Sequence, residues 1–453
     1  MPPSFGTSGL RGRVIDLTEP VVRRYIAAFS IACDLGEAVF VGHDLRSSSP
    51  QLAETVALAL QNCGHNVFVC GPVSTPALAL AAGKAGASAV MVTGSHIPAD
   101  RNGLKFYTPT GEISKSHEAA IVAALNRDRP AMPKHPLCQR DDIMALYGAR
   151  YMQAFPDALQ GQRIGIFAHS AVGREHLFAL CQDLGATTFA LGRSDDFVPL
   201  DTEAVSPQMR DQFRDWASVH RLDAIVSTDA DGDRPLLTDE TGALVAGDIL
   251  GQITARWLGA THVVTPVSSN SGVELSGHFD TVVRTKIGSP YVLEAMSQHI
   301  GRAVGYEANG GFILGFQAGS LAPLMTRDAL LPLFAVLSLA GANGVAALVA
   351  DEPKRVTASD RLQEIAPERA AAVLGMLASD PSGRADFLRG IDADACAVDE
   401  TDGVRMSLAD DVFLHLRQSG NAPELRIYTE ADDKTKVDAL LIAARQAMRR
   451  ALD

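Results

Sequence analysis

Ala89-Val90-Met91-Val92-Thr93-Gly94-Ser95-His96 is an apolar run that passes without a break into a polar cluster. Two other stretches follow the same plan. Ala224-Ile225-Val226 leads to Asp229-Ala230-Asp231-Gly232-Asp233-Arg234, and Ala303-Val304-Gly305-Tyr306 leads to Glu307-Ala308-Asn309-Gly310-Gly311. Ligands of open α/β sheets gather beyond the carboxyl ends of the strands. A hydroxyl, a carboxylate cage and a polar recognition loop, each at its own strand end, therefore predict one composite site suited to phosphate chemistry.

Outward from these stretches, one architectural unit occurs three times. In the first, strands at 38–41, 66–70 and 89–92 alternate with helices at 49–62 and 76–85, the former with Leu52, Val56 and Leu60 on one face. The second has strands at 163–167, 187–190 and 224–226 with helices at 172–184 and 207–220. The third runs from a strand at 262–267 through 272–277 to a strand at 281–284, a helix at 291–299 and a strand at 303–306. Strands alternating with helices of about 10–15 residues predict βαβ units in mixed, mostly parallel sheets. The period, on the order of 100 residues, is too long for a solenoid. From about residue 351 the pattern changes to a helix at 368–377, short segments at 403–407, 412–416 and 424–428, and a closing helix at 435–452. That reads as a smaller α+β unit with antiparallel strands. Connectors near 127–136, 239–242 and 351–354 divide the chain into expected domains 1–138, 139–240, 241–350 and 351–453.

At 453 residues the chain exceeds what one core usually supports, which agrees with several domains. Its net charge of −13 excludes a broad nucleic-acid surface, which needs a basic stripe, yet leaves room for local arginines around a small anion. Six cysteines without CxxC spacing read as free thiols in a reducing cytoplasm. The N-terminus lacks a cationic region followed by an apolar one, so no signal peptide is expected. The strongest membrane candidate, 330–350, is broken by Pro332, Ser338, Gly341, Asn343 and Gly344. A span needs about 20 mostly apolar residues, so a buried helix starting near Pro332 is expected, with no membrane partner.

Asp229, Asp231 and Asp233 at alternate positions can converge on one hard cation, with Gly232 allowing the tight turn. An EF-hand loop also begins with Asp at positions 1, 3 and 5, and Glu240 falls at position 12. Position 6, however, is Arg234 where glycine is needed, and Pro235 follows, so an octahedral Mg²⁺ site with a phosphate oxygen in its shell fits better. Ser95 sits on a glycine turn beside His96, with Lys105 ten residues on. Alone it reads as a turn serine, the nucleophile of a Ser-His hydrolase or a phosphate carrier. Glu307 and Asn309 suit vicinal sugar hydroxyls, and a plain turn equally well. Arg417, Ser419, Gly420, Asn421 and Arg426 can cradle a phosphate, or can form a plain hairpin loop. The loop 5–12 presents Arg11 and lacks the Lys-Ser/Thr of a P-loop.

Taken in order, these five segments resemble the α-D-phosphohexomutases, over nearly the whole chain. The resemblance implies three α/β domains and a smaller fourth in a heart-like arrangement around one cleft. It implies a phosphoserine at Ser95, Mg²⁺ held by Ser95, Asp229, Asp231 and Asp233, and a transferring phosphoryl group ringed by Arg11, His96, Lys105 and Arg234. Lys105 would be the general acid/base, Glu307 and Asn309 would read the sugar, and Lys286 and Gly288 would add contacts. Arg417, Ser419, Gly420, Asn421 and Arg426 would grip the distal phosphate. The implied reaction interconverts mannose 6-phosphate and mannose 1-phosphate through a hexose 1,6-bisphosphate, with glucose and glucosamine phosphates as alternative substrates. A weak sugar-phosphate binder and a metal-dependent phosphatase are the readings from other classes. Two positions depart from the pattern: Ile97 stands where asparagine is common, and Asn421-Ala422 where threonine and an acidic residue are.

Overall fold

Four sheets carry the chain, built from residues 4–139, 163–237, 262–328 and 356–431. This is a computed structural model, and it describes residues 2–127, 132–299, 301–419 and 424–452. At the centre of the first sheet, Asn66–Pro72, Ala38–His43 and Ser88–Val92 run parallel, and Arg101–Thr108 returns antiparallel to Ser88–Val92. Leu10–Arg13 then pairs with Arg101–Thr108, while Leu137–Gln139 closes the far edge. The second sheet has the order Thr187–Leu191, Arg163–Phe167, Ala224–Thr228, Pro235–Leu237, and its last strand is antiparallel. The third follows suit: Thr281–Thr285, His262–Pro266 and Ala303–Tyr306 are parallel, then Phe312–Leu314 and Leu324–Asp328 turn back. All neighbours in the fourth sheet are antiparallel.

One device recurs in the first three sheets. A fully buried strand ends, a polar loop follows, and the chain returns antiparallel beside the same strand. The parallel strands were visible as apolar runs, because strands covered on both faces lose polar alternation. The returning strands Pro235–Leu237 and Phe312–Leu314 carry too few residues to show a period of their own, and the eight-residue return Arg101–Thr108 is buried from Asn102 onward and so lacks polar alternation. Helices match their amphipathic patterns: Ser49–Asn62 buries Leu52, Val56 and Leu60, with Pro50 in its first turn. The expected 172–184 helix is Arg174–Asp183, and the expected 291–299 helix is Ser289–Ser297, which begins at the Ser289-Pro290 turn. Helices Glu19–Ala32, Ile143–Ala154 and Gly247–Trp257 were not expected.

The segment 330–350 is two helices. Leu330–Ala340 is buried along most of its length and starts two residues before Pro332, and Gly341 at φ +48° ends it ahead of Val345–Ala350. Among the described residues no helix is long and apolar enough to cross a membrane. One apolar core is continuous from Ala38 to Val345, joining the first three sheets through Tyr147, Tyr151, Leu250 and Phe334. The fourth sheet has a separate core, formed by Leu362, Leu377, Met406, Leu414, Ile427 and Met448.

Candidate active site

The buried strand Ser88–Val92 carries the chain into Thr93, whose hydroxyl donates to Asp44 Oδ2 at 2.7 Å and accepts the Ser95 N–H at 2.8 Å. Ser95 is left-handed, φ +51°, a conformation costing a non-glycine residue about 1 kcal/mol. It projects Oγ across to the second sheet, where it donates to Asp229 Oδ2 at 2.5 Å. His96 Nδ1 is 3.4 Å from the same hydroxyl, too long for a strong general-base contact. Arg234 first, then burial and Arg11, push His96 down to about 2, so its ring is neutral near pH 7.

Asp229, Asp231 and Asp233 are buried, and each offers an oxygen within 4.8 Å of the others. Gly232 makes this possible: φ is +77°, and a Cβ there would lie 2.8 Å from Ser74 Cβ. Asp229 Oδ1 accepts the N–H groups of Asp233 and Arg234, both at 3.2 Å. Asp231 Oδ2 accepts Thr75 Oγ1 and Lys105 Nζ. Lys105, on the returning strand opposite Met91, also donates to Asp233 Oδ2 at 2.5 Å. Asp231 Oδ1 and Asp233 Oδ1 are buried without a hydrogen-bond partner. Burial, then Asp231 and Asp233, push the Asp229 carboxyl well above the carboxylate range. Burial also acts against the charged form of Asp231, but Lys105 and Thr75 outweigh it and hold that group low. Buried carboxylate oxygens without partners are costly, and a hard divalent cation beside Ser95 would satisfy both and relieve the repulsion on Asp229. The donor set fits Mg²⁺.

Cations surround this cage. Arg11 donates to Thr93 O, and the charges of Asp231 and Asp233 act on it. Arg234 lies 3.9 Å from Asp233 and 3.8 Å from Asp201. Arg327, on Leu324–Asp328, joins the second and third loops: it donates to Asp233 Oδ2 at 2.7 Å and to Glu307 Oε2 at 2.9 Å. Glu307 is thus fixed beside the Asp229–Asp233 loop. Asn309 commits its side-chain oxygen to Gly311 N–H at 2.9 Å, which shapes its own loop.

The remaining sites lie where the third and fourth sheets meet. Ile287 N–H donates to Asp402 Oδ2 at 3.0 Å, and Arg417 Nε lies 3.3 Å from the same oxygen, which brings the Lys286–Gly288 turn to Arg417. A Cβ on Gly288, φ +131°, would lie 2.5 Å from Thr7 Cγ2, so the N-terminal loop sits against this turn too. Arg417 and Arg426 are direct cross-strand partners, like charges side by side, an arrangement that an anion would stabilise. Ser419 donates its N–H to Glu424 O at 2.9 Å; Gly420 and Asn421 lie outside the described residues.

Sequence reasoning assigned no site role to Asp44, Arg46, Thr75 or Arg327. The first two had a signal, since Gly42-His43-Asp44-Leu45-Arg46 repeats the strand-then-polar-cluster plan. For Thr75 and Arg327 the pairing has no local trace, because each meets an aspartate more than 90 residues away.

Known proteins resemble this chain over nearly its whole length. Residues 2–132 match the phosphoglucomutase/phosphomannomutase alpha/beta/alpha domain I model, 238–356 the domain III model and 346–446 the C-terminal domain model. A phosphomannomutase of Sinorhizobium fredii is 42% identical, over 97% of this chain and 98% of its own. One from Salmonella muenchen is 43% identical, over 95% and 92%. In three dimensions, a phosphoglucomutase/phosphomannomutase family protein of Burkholderia thailandensis superposes with a TM-score of 0.79 at 20% identity, covering 98% of this chain and 97% of that one. With the serine loop, the acidic triplet and the Glu307 loop brought together at strand ends of three sheets, the chain belongs to the phosphoglucomutase/phosphomannomutase family, and is a phosphohexomutase, an isomerase.

Proposed function

We propose that this phosphohexomutase interconverts mannose 6-phosphate and mannose 1-phosphate, with Ser95 as the phosphoryl carrier and a hexose 1,6-bisphosphate as intermediate. The observation that carries the reading is the buried Ser95 hydroxyl, 2.5 Å from Asp229 in a carboxylate cage that still has two oxygens without partners. Mannose is favoured over glucose or glucosamine because the relatives at 42–43% identity are named phosphomannomutase. Mg²⁺ held by Asp229, Asp231, Asp233 and the Ser95 oxygen would neutralise charge on the phosphoryl group.

Arg11 and Arg234 attract and orient the phosphoryl group between Ser95 and the sugar. As the P–O bond to Ser95 breaks, a P–O bond to the sugar hydroxyl forms, and the proton of that hydroxyl ends on Ser95 Oγ. Lys105 is the relay for this proton, bound between two aspartates in the same cage. His96, whose Nδ1 lies 3.4 Å from the Ser95 hydroxyl, orients the phosphoryl group. Glu307 and Asn309 read sugar hydroxyls, Lys286 and Gly288 line the same space, and Arg417, Ser419, Gly420, Asn421 and Arg426 hold the phosphate that is not reacting. After the bisphosphate turns over, the reverse transfer returns the other phosphate to Ser95.

The test is an intact-mass measurement followed by a substrate panel. Incubation with a hexose 1,6-bisphosphate and Mg²⁺ should add about 80 Da, one phosphate, to the peptide bearing Ser95. Turnover should be fastest on the mannose phosphates. Release of free phosphate at the rate of sugar-phosphate loss would show a phosphatase instead.

A further inference from the structure

The serine loop is gripped by a side chain outside the reacting groups. Arg46 is buried, just after the strand Ala38–His43. Its Nη2 donates to Ser95 O at 2.7 Å and Ile97 O at 2.6 Å, and its Nη1 to Pro98 O at 2.7 Å and Arg101 O at 3.0 Å. Nε lies 3.3 Å from Asp44 Oδ2, the oxygen that also accepts the Thr93 hydroxyl. The ring of Phe197, on the loop after Thr187–Leu191, covers the guanidinium 4.0 Å from its centroid. Phe197 thereby ties a loop of the second unit to this grip.

A buried guanidinium is expensive unless its donors are used. Here the planar fork spends both terminal nitrogens on carbonyls of a single loop, which an ammonium cannot reproduce. The left-handed backbone at Ser95 persists only where its surroundings over-determine it, and these contacts do so. Gly94 belongs to the same arrangement, since a Cβ there would lie 2.5 Å from Arg46 Cζ.

We propose that Arg46 is a positioning residue for phosphoryl transfer: by gathering the carbonyls of the 95–101 loop it aims Ser95 Oγ at Asp229, and Phe197 clamps it from the second unit. This rests on Ser95 as the phosphoryl carrier. The hydrogen bonds of the Arg46 terminal nitrogens go to backbone carbonyls of the serine loop, so its loss should act on the transfer step and leave sugar binding alone.

The experiment begins with wild type, charged with a hexose 1,6-bisphosphate and Mg²⁺ and weighed for phosphate on the Ser95 peptide. A wild type without that phosphate overturns the carrier reading, and this inference with it. Where the phosphate is present, Arg46→Lys is compared in single-turnover transfer to hexose monophosphate, steady-state kinetics and thermal unfolding. The transfer rate and kcat should fall together by about 10–100-fold, as for a misplacement near 1 Å, with KM changed by less than about twofold. Wild-type transfer by the folded variant, or a raised KM at unchanged kcat, overturns the proposal while leaving the carrier reading intact. Should Arg46→Lys fail to fold, Phe197→Leu keeps every polar contact of Arg46 and removes only the covering ring. The same split between kcat and KM, at about 3–10-fold, supports the role, and wild-type transfer by Phe197→Leu overturns it.

Discussion

Ser95 carries little packing, because it occupies a turn and its hydroxyl is spent on Asp229. Ser95→Ala should therefore fold normally and lose isomerisation by at least about 10³-fold, measured as turnover of either hexose phosphate. Wild-type turnover would remove the nucleophile. Asp231 is different, since one oxygen is paired with Thr75 and Lys105 and the other has no partner. Asp231→Asn keeps the shape and removes a charge, so Mg²⁺ affinity from calorimetry and kcat should both fall, each by about 10-fold or more. Unchanged metal titration would exclude the cage. Both aspartate and serine were legible in the sequence, because a buried strand followed by polar residues is a local signal. Lys105 was legible only as a nearby cation; its bridge between Asp231 and Asp233 spans two sheets and has no local trace.

Parallel strands and amphipathic helices wrote themselves into the sequence through periodicity, and the antiparallel returns did not. Pro235–Leu237 and Phe312–Leu314 are three residues each, too short for alternation, yet they close the loops that carry Asp229–Asp233 and Glu307. Helix Gly247–Trp257 escaped notice for another reason: Gly247 and Gly251 break its propensity pattern and are needed for close approach to the 308–310 loop and to Tyr306. In its first turn, Asp248 accepts the N–H groups of Ile249 and Asn270, and burial raises its carboxyl to about 6 from 3.8. The folded state thus holds this proton more tightly than the unfolded chain. Its contribution is fully present below about pH 4 and is lost as pH rises to about 6, on the order of 2–3 kcal/mol. Asp248→Asn, which cannot ionise, should flatten that part of the stability profile in denaturant titrations between pH 4 and 7. An identical slope in the variant would assign the dependence elsewhere.

Across the whole molecule the first three sheets share one apolar core, whereas the fourth has its own and is attached through polar contacts. Glu430 is the centre of that attachment. Its Oε1 accepts Ser271 N–H at 2.7 Å, Ser271 Oγ at 2.6 Å and Arg355 Nε at 2.7 Å. Glu430→Ala leaves buried donors without an acceptor and should weaken the junction by about 2–4 kcal/mol. Limited proteolysis near residues 351–355 should then accelerate and KM for hexose phosphate should rise, with the main thermal transition little changed. Slow cleavage with a lowered main transition would mean that Glu430 stabilises the body and not the junction.

Local chemistry in the chain was enough for the α/β architecture, the strand-end loops, the acidic triplet and the candidate nucleophile, since each depends on neighbours within a few residues. Which loops meet is a different matter. Tyr147 and Tyr151 against Asp328, Thr75 on Asp231, Arg327 between Asp233 and Glu307, and Arg46 around the serine loop all join residues far apart in sequence. Those contacts exist because a common core packs three sheets with their polar ends together, and burial then obliges every charge brought inside to find a partner from another unit.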